Sequence, residues 1–313
     1  MTTPTDAVRL GFGLPVSGTW AAPETMLRFA RRAEEAGYSS LWAFQRLLNP
    51  AGGAYGEPYR SVQDPLIALA YVVAATSRIR LGTAVVNAPF YAPVVLAKQV
   101  TTLDIVSGGR IDLGLGLGWA PEEFTAVGVP YERRGARTEE FVRCLRTLWE
   151  DDPASFDGQF YEVPPVRVDP HPVQRPTPPI LLGGSADVAL RRAGRIADGW
   201  ISASRHDLTT IGDAVATVRT AAEEAGRDPG ALRFVVRGVV HLDEELRTDS
   251  GERRPLTGTA EQIRDDLAGL HGEGITDVFL DLNFNPRVGS PDADLAESTA
   301  YAERVLETFA PGA

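Results

Sequence analysis

Val8-Arg9-Leu10-Gly11-Phe12-Gly13-Leu14 is an apolar run that breaks at Pro15, and the helical pattern behind it opens at Pro23 and stops at Gly37. That helix carries Met26, Leu27, Ala30 and Ala33 on one face, with proline at its start and glycine just past its end. The same strand-then-helix unit recurs along the chain. Further strands end near Phe44, Val86, Gly116, Leu182, Ser202, His241 and Asn283, which makes eight. Alternation of this kind requires parallel pairing through crossover helices. Eight such units within 313 residues predict an α/β fold of (β/α)8 TIM-barrel type, in which chemistry sits where the strands end.

Periodicity places the remaining helices over 65–76, 93–107, 134–150, 186–197, 208–225, 260–272 and 294–309, each with a polar outer face. Thr259-Ala260-Glu261-Gln262 has the spacing of a capping box. An insertion from Asp151 to Pro179 interrupts the rhythm before strand five. Within it, Phe156 to Tyr161 reads as a hairpin, and a proline-rich run from Pro164 to Pro179 favours an extended path that cannot join a central strand. Leu47 to Gln63, after strand two, is long enough to act as a lid. Asp243 to Pro255 is a second, charged interruption. The chain reads as one domain, 1–313.

The balance of 43% hydrophobic and 23% charged residues is that of a soluble globular protein with a large core. A net charge of -11 argues against nucleic acid and anionic membranes as partners, since both need a basic face. The one cysteine, Cys144, has no internal disulfide partner, and the first residues show no charged-then-apolar leader, which together predict a cytoplasmic location. Cys144 falls on the core face of its helix. The four histidines lie far apart and predict no metal site. No apolar stretch reaches the ~20 residues of a membrane span.

Collecting the strand ends brings Pro15 to Ser17, Gln45, Arg46, Asn87, Gly116 to Trp119, Gly183 to Ser185, Ser202 to Arg205, His241, Asn283 and Asn285 to one mouth. Gly114, Gly116 and Gly118 alternate along strand four. Either they leave room for something flat or they relieve a crowded barrel interior. Gly183-Gly184-Ser185 leads straight into a helix, so its amides suit an anion, although Ser185 could equally be a helix N-cap. No Gly-x-Gly-x-x-Gly dinucleotide fingerprint is present. Arg237, inside an apolar strand, needs a buried partner, and Asp281 on strand eight is the candidate. Glu122 and Glu123, adjacent at a helix start, read as structural. Arg133, Arg134 and Arg137 read as a solvated helix face that also follows the loop after strand four.

Several segments together resemble the bacterial luciferase-like flavin and deazaflavin oxidoreductases. They are Leu41-Trp42, Arg80 to Val86, Leu103-Asp104-Ile105-Val106-Ser107-Gly108-Gly109-Arg110, Gly114 to Trp119 with Glu122-Glu123-Phe124, and Pro179 to Gly184 continuing to Ala197-Asp198-Gly199-Trp200. Within that superfamily the chain is most similar to the branch that uses coenzyme F-420, an 8-hydroxy-5-deazaflavin. The resemblance implies a tricyclic ring at the barrel mouth, backed by a bulge with a non-prolyl cis peptide at Ala84-Val85. It also implies space at the ring edge beside Gly116, Gly118 and Trp119, and a cofactor phosphate held by Gly183, Gly184 and Ser185. A homodimer is a further implication.

One departure stands out: many relatives end strand two in an acidic residue followed by histidine, where this chain has Gln45-Arg46. Arginine stays protonated and cannot shuttle protons. Arg46 is therefore expected to hold an anionic substrate or to stabilise a reduced, anionic deazaflavin. The connection after strand seven is also shorter than the luciferase lid. Together these features predict an F-420-dependent oxidoreductase that transfers hydride to or from a small organic substrate. Gln45, Asn87, Trp119 and Asn283 would line the substrate side, and His241 would be the proton donor. An FMN-dependent monooxygenase using molecular oxygen is the alternative, and a catalytically silent flavin-binding barrel is a second.

Overall fold

The computed structural model describes residues 7–312. Eight parallel strands close into a barrel: β1 (Arg9–Gly13), β2 (Ser40–Ala43), β3 (Arg80–Thr83), β4 (Ile111–Gly116), β5 (Ile180–Gly183), β6 (Gly199–Ile201), β7 (Arg233–Val239) and β8 (Asp277–Asp281). Each pairs with its neighbours in chain order, and β8 closes the ring against β1 with Arg9 opposite Asp277 and Phe12 opposite Leu280. Past β3 the chain bulges at Ala84-Val85, whose peptide bond is cis, and a two-residue continuation, Val86–Asn87, pairs with Leu115 and Gly116 of β4.

Ten helices are described: α1 (Pro23–Glu35), α2 (Pro65–Val73), α3 (Pro93–Ser107), α4 (Pro121–Val127), α5 (Arg134–Glu150), α6 (Asp187–Ile196), α7 (Ile211–Glu224), α8 (Ala260–Gly272), α9 (Pro286–Gly289) and α10 (Leu295–Thr308). Proline occupies the first turn of α1, α2, α3, α4 and α9, where its missing N–H costs nothing. Thr259 and Gln262 form the expected capping box on α8. The outer faces of α2 and α3 depart from expectation, because Ile67, Tyr71, Val94, Val95 and Val106 are exposed there.

Inside the barrel, Trp42, Ala84, Leu181, Ile201, Val235 and Phe279 form their own buried cluster. The Trp42 indole stacks on Phe279 with centroids 5.4 Å apart, and a side chain at Gly82 would collide with it, a Cβ there meeting the indole at 2.3 Å. Below this plug, two buried carboxylates gather three arginines. Asp112 pairs with Arg80 at 2.6 Å and Arg233 at 2.8 Å, and Asp277 pairs with Arg9 at 2.7 Å and Arg233 at 3.2 Å. Burial alone would raise the Asp277 carboxyl, but its arginine partners and Thr276 hold it below the usual carboxylate range. Aromatic rings and ion pairs thus fill the interior and floor, leaving room for a ligand only at the C-terminal ends of the strands.

The insertion forms an antiparallel hairpin, Ala154–Asp157 with Glu162–Val166. Glu140 of α5 clamps its turn by accepting the N–H groups of Gln159, Phe160 and Tyr161 at 2.9, 2.6 and 2.8 Å. The proline-rich run behind it is anchored by Asp104, which accepts from the N–H groups of Val173 and Gln174 and from the Gln174 side-chain amide.

Candidate active site

A cavity of about 370 Å³ opens at the strand ends, within the range of small-molecule sites. Its walls include Gln45, Arg46, Ala84, Val85, Asn87, Gly116, Gly118, Trp119, Gly183, Gly184 and Ser185, all brought to one place as the sequence predicted. Tyr59 from the Leu47–Gln63 loop, Arg134 from α5, Arg237 from β7, and Ser202 and Ser204 past β6 add to the polar lining.

The end of β2 is locked to the bulge through Gln45. Its side-chain Nε2 donates to the Tyr91 hydroxyl at 2.7 Å, and its Oε1 accepts the Asn87 N–H at 2.9 Å. Both polar groups are engaged, so Gln45 positions Asn87 and is not a free catalytic amide. Burial pushes the Tyr91 hydroxyl up to about 12, which keeps it neutral.

Beside Gln45, Arg46 is held in an aromatic cage. Its guanidinium lies 4.4 Å from the Trp119 ring centroid, 4.7 Å from that of Tyr59 and 5.2 Å from that of Tyr55, distances suited to cation–π attraction. Glu123, fully buried, sits 2.8 Å from Arg46 Nη1 and also accepts the Leu47 N–H at 2.7 Å. Sequence reasoning missed this pairing, since 77 residues separate the two and nothing local links Arg46, just past β2, to Glu123 in α4. Tyr55 donates to Glu122, tying the loop after β2 to α4 over the cage.

Arg237 and Asp281 form the expected buried pair, at 3.4 Å. Burial pulls the guanidinium below its usual range and pushes the carboxyl above its own, while their mutual attraction opposes both effects. The Arg237 guanidinium packs 4.9 Å from the Phe284 ring centroid and 5.4 Å from that of Phe44.

On the opposite wall the glycines divide by cause. At Gly114 a Cβ would meet the Thr83 carbonyl oxygen at 1.9 Å, and at Gly116 it would strike Val85 at 2.5 Å and Asn87 at 2.9 Å. These two are bare so that the bulge can lie against β4, not to leave an empty slot. Gly183 differs: a Cβ there would find only ordinary contacts, Val85 at 3.4 Å and Ile201 at 3.7 Å, both cavity-lining side chains. The protein itself therefore does not require a glycine at that position. Gly184 adopts φ 139°, and α6 follows with Ala186 at its N-cap and no side-chain cap. Ser185 is not the N-cap; it lines the cavity one residue ahead of it.

Of the residues predicted at the mouth, Pro15 to Ser17, Arg205, His241, Asn283 and Asn285 are not among those lining the cavity, and for two of them this changes an expected role. His241 is not among the cavity-lining residues. It sits past β7 in a short pairing of His241–Leu242 with Thr257–Gly258, and its Nδ1 faces Glu244 at 3.0 Å. The proton-donor role expected of it is withdrawn, because β7 ends at Val239 and the chain has left the barrel before His241. Asn283 is likewise a staple rather than a lining residue. Its side chain accepts from the Val16 and Ser17 N–H groups and donates to the Leu14 carbonyl and to Asp281.

Neither Cys144 nor the histidines enter this site. Burial raises the Cys144 thiol to about 11, as befits a core side chain. Among the described residues, no group of three His, Cys, Asp or Glu side chains could hold a metal ion, and no helix is long and apolar enough to cross a membrane.

The site is thus a strand-end cavity in a (β/α)8 barrel, bounded by a bulge after β3 and a glycine-led helix start. The chain belongs to the luciferase-like monooxygenase family, whose model matches residues 9–249. It is 32% identical over 265 residues to an F-420-dependent glucose-6-phosphate dehydrogenase of Kineococcus radiotolerans, covering 81% of this chain and 75% of that one. It is 33% identical over 226 residues to an FMNH(2)-dependent dimethylsulfone monooxygenase of Pseudomonas putida, covering 70% and 59%. The fold matches that of the coenzyme F-420-dependent tetrahydromethanopterin reductase of Methanopyrus kandleri, with a TM-score of 0.77, 17% identity and 98% of each chain covered. Members of the family are flavin- or deazaflavin-dependent oxidoreductases or monooxygenases.

Proposed function

We propose that this chain, 1–313, works as one barrel domain and is an F-420-dependent oxidoreductase that moves hydride between the deazaflavin and a small organic substrate. The observation that carries the reading is Gly183. Its Cβ would project toward Val85 and Ile201 without meeting a clash, in a cavity whose lining also includes an uncapped helix start and Arg134. Those features suit a flat ring against the bulge and a phosphate at the amides of Ser185 and its neighbours. Val85, Gly116, Gly118 and Gly183 would flank the ring, and Asn87 would meet its polar edge. When bound, the deazaflavin supplies hydride donation or acceptance at its central ring. The protein contributes position and charge, with Arg46 orienting the substrate from within its cage.

The choice of F-420 over FMN rests on the resemblance and on the Kineococcus relative; the Pseudomonas relative keeps an FMN-dependent monooxygenase as the second reading. Titrating the protein with F-420 and, separately, FMN, followed by tryptophan fluorescence, separates them. Tight F-420 with weak FMN binding is expected. The reverse preference would move the monooxygenase forward, and cofactor binding without hydride exchange would indicate the silent barrel. We further propose a cytoplasmic enzyme that dimerises through the apolar outer faces of α2 and α3. Sedimentation of the wild type against Ile67→Lys would show a dimer lost in the variant.

A further inference from the structure

Arg46, Arg134 and Arg237 line the cavity, and no aspartate or glutamate does. The carboxylates that balance two of these arginines, Glu123 and Asp281, stand outside the lining, so a ligand in the cavity meets guanidinium edges and no acidic group. This occurs in a chain of net charge -11, where an electropositive interior is not a by-product of composition.

Arg46 and Arg237 are each 8% exposed, and their ion-pair contacts are not aligned as hydrogen bonds. Arg46 Nη1 and Arg237 Nε are enclosed and turned to Glu123 and Asp281. The remaining guanidinium edges, Arg46 Nη2 and Arg237 Nη1 and Nη2, are not enclosed in this way and donate to no described residue, so acceptors from a ligand in the cavity would complete them. The two guanidiniums flank one aromatic wall. Arg46 lies on Tyr59, Arg237 on Phe284, and the Tyr59 and Phe284 rings meet edge to face at 5.4 Å. Arg134, by contrast, extends from the start of α5.

We infer that Arg46 and Arg237, on the same cavity wall as the Tyr59 ring, form a subsite for the carboxylate of a planar organic acid, distinct from the phosphate-binding helix start. Planar forked donors match the two oxygens of a carboxylate, and the aromatic wall accommodates the flat body attached to it. The assignment names the substrate class for the oxidoreductase reading and rests on it. It makes Arg237 a substrate-binding residue rather than only the partner of Asp281.

The test uses the full-length protein without added cofactor, so that it stands apart from the F-420 titration. Benzoate, its neutral isostere benzamide, and inorganic phosphate are titrated while the fluorescence of Trp119, which touches Arg46, is followed, with Trp119→Phe as the signal control. Benzoate should bind at least tenfold more tightly than benzamide. Arg46→Gln and Arg237→Gln should each weaken benzoate tenfold or more and leave benzamide unchanged. Because Arg237→Gln strands Asp281, the double variant R237Q/D281N, which leaves no unpaired charge, must show the same loss with an unaltered thermal midpoint. Equal binding of benzoate and benzamide, no saturable benzoate binding, or benzoate affinity unaffected in R237Q/D281N would overturn the proposal. Phosphate competing with benzoate at equal affinity, through Arg237, would overturn the carboxylate assignment. If benzoate binds as described while F-420 and FMN do not, the subsite stands and the cofactor reading fails.

Discussion

Adding one methyl group at Gly183 separates the fold from the function, because this glycine has no structural reason of its own. In Gly183→Ala the new Cβ would lie 3.4 Å from Val85 and 3.7 Å from Ile201, ordinary contact distances, and the backbone there is not in the left-handed region. The expected change in folding stability is below about 1 kcal/mol. If the cofactor ring occupies the space between those side chains, the methyl must displace it. Overpacking of that kind costs about 1–3 kcal/mol, or roughly 5- to 150-fold in Kd. Gly114→Ala is the control with the opposite outcome: its Cβ would sit 1.9 Å from the Thr83 carbonyl oxygen, so β4 must shift, and several kcal/mol of stability should be lost. The measurements are urea unfolding and F-420 titration on the same preparations. Wild-type affinity in Gly183→Ala would refute the placement of the ring, and a large loss of stability in that variant would show that the glycine serves the barrel.

Three other outcomes are expected. Glu123→Gln leaves Arg46 buried without its counter-ion, and urea unfolding should show a loss of about 3 kcal/mol, with a smaller loss if the cage alone holds the guanidinium. Asp112→Asn leaves Arg80 without its counter-ion and Arg233 with Asp277 alone at the barrel floor, and should cost a similar amount, about 3 kcal/mol, without altering cofactor affinity, since Asp112 lies at the far end of the barrel. Glu34 is expected to set part of the acid sensitivity. Although burial opposes it, hydrogen bonds from the N–H groups of Ser77, Arg78 and Ile79 lower its carboxyl from 4.5 to about 2. Because the folded value lies below the unfolded one, its contribution is complete above pH 4.5 and fades as the pH falls toward 2. After allowance for solvent screening at this partly exposed site, that contribution is about 1 kcal/mol. Unfolding at pH 6 and pH 3 should therefore show a steeper loss for the wild type than for Glu34→Gln.

Much of the architecture could be read from the chain because strand and helix periods alternate without ambiguity. The helices over 93–107, 134–150 and 260–272 coincide with α3, α5 and α8, since proline, glycine or a capping box marks an end of each. Strand ends were less legible. The expectation that strand seven runs to His241 followed an apolar stretch whose alternation does not reveal that the ladder stops at Val239. Asn283 was misjudged for a related reason: a strand-end position says that a side chain is near the mouth, not whether it turns to the ligand or to the neighbouring loop. The segment Leu103 to Arg110, which carries much of the resemblance, serves the scaffold. Arg110 donates to carbonyls of Val73, Thr76, Ile79 and Ser107, and Asp104 pins the proline-rich run. The Arg46–Glu123 pair was invisible because nothing local links residues so distant, whereas Arg237 and Asp281 were found because each is a charge with apolar neighbours at the C-terminal half of its strand.

Closure by β8 against β1 also has a consequence for how the chain is made. The residues that meet there, Arg9 and Asp277, are 268 positions apart, so β1 emerges from the ribosome long before its partner exists. Until then the growing sheet has an open edge at β1 and another at its newest strand, both able to pair with other chains. Such distant pairing is slow to form, and partially built sheets are prone to aggregate while they wait. Chains that stop short of residue 277 should therefore accumulate as insoluble fragments rather than as smaller barrels, and synthesis at low temperature or with chaperones should favour the closed ring.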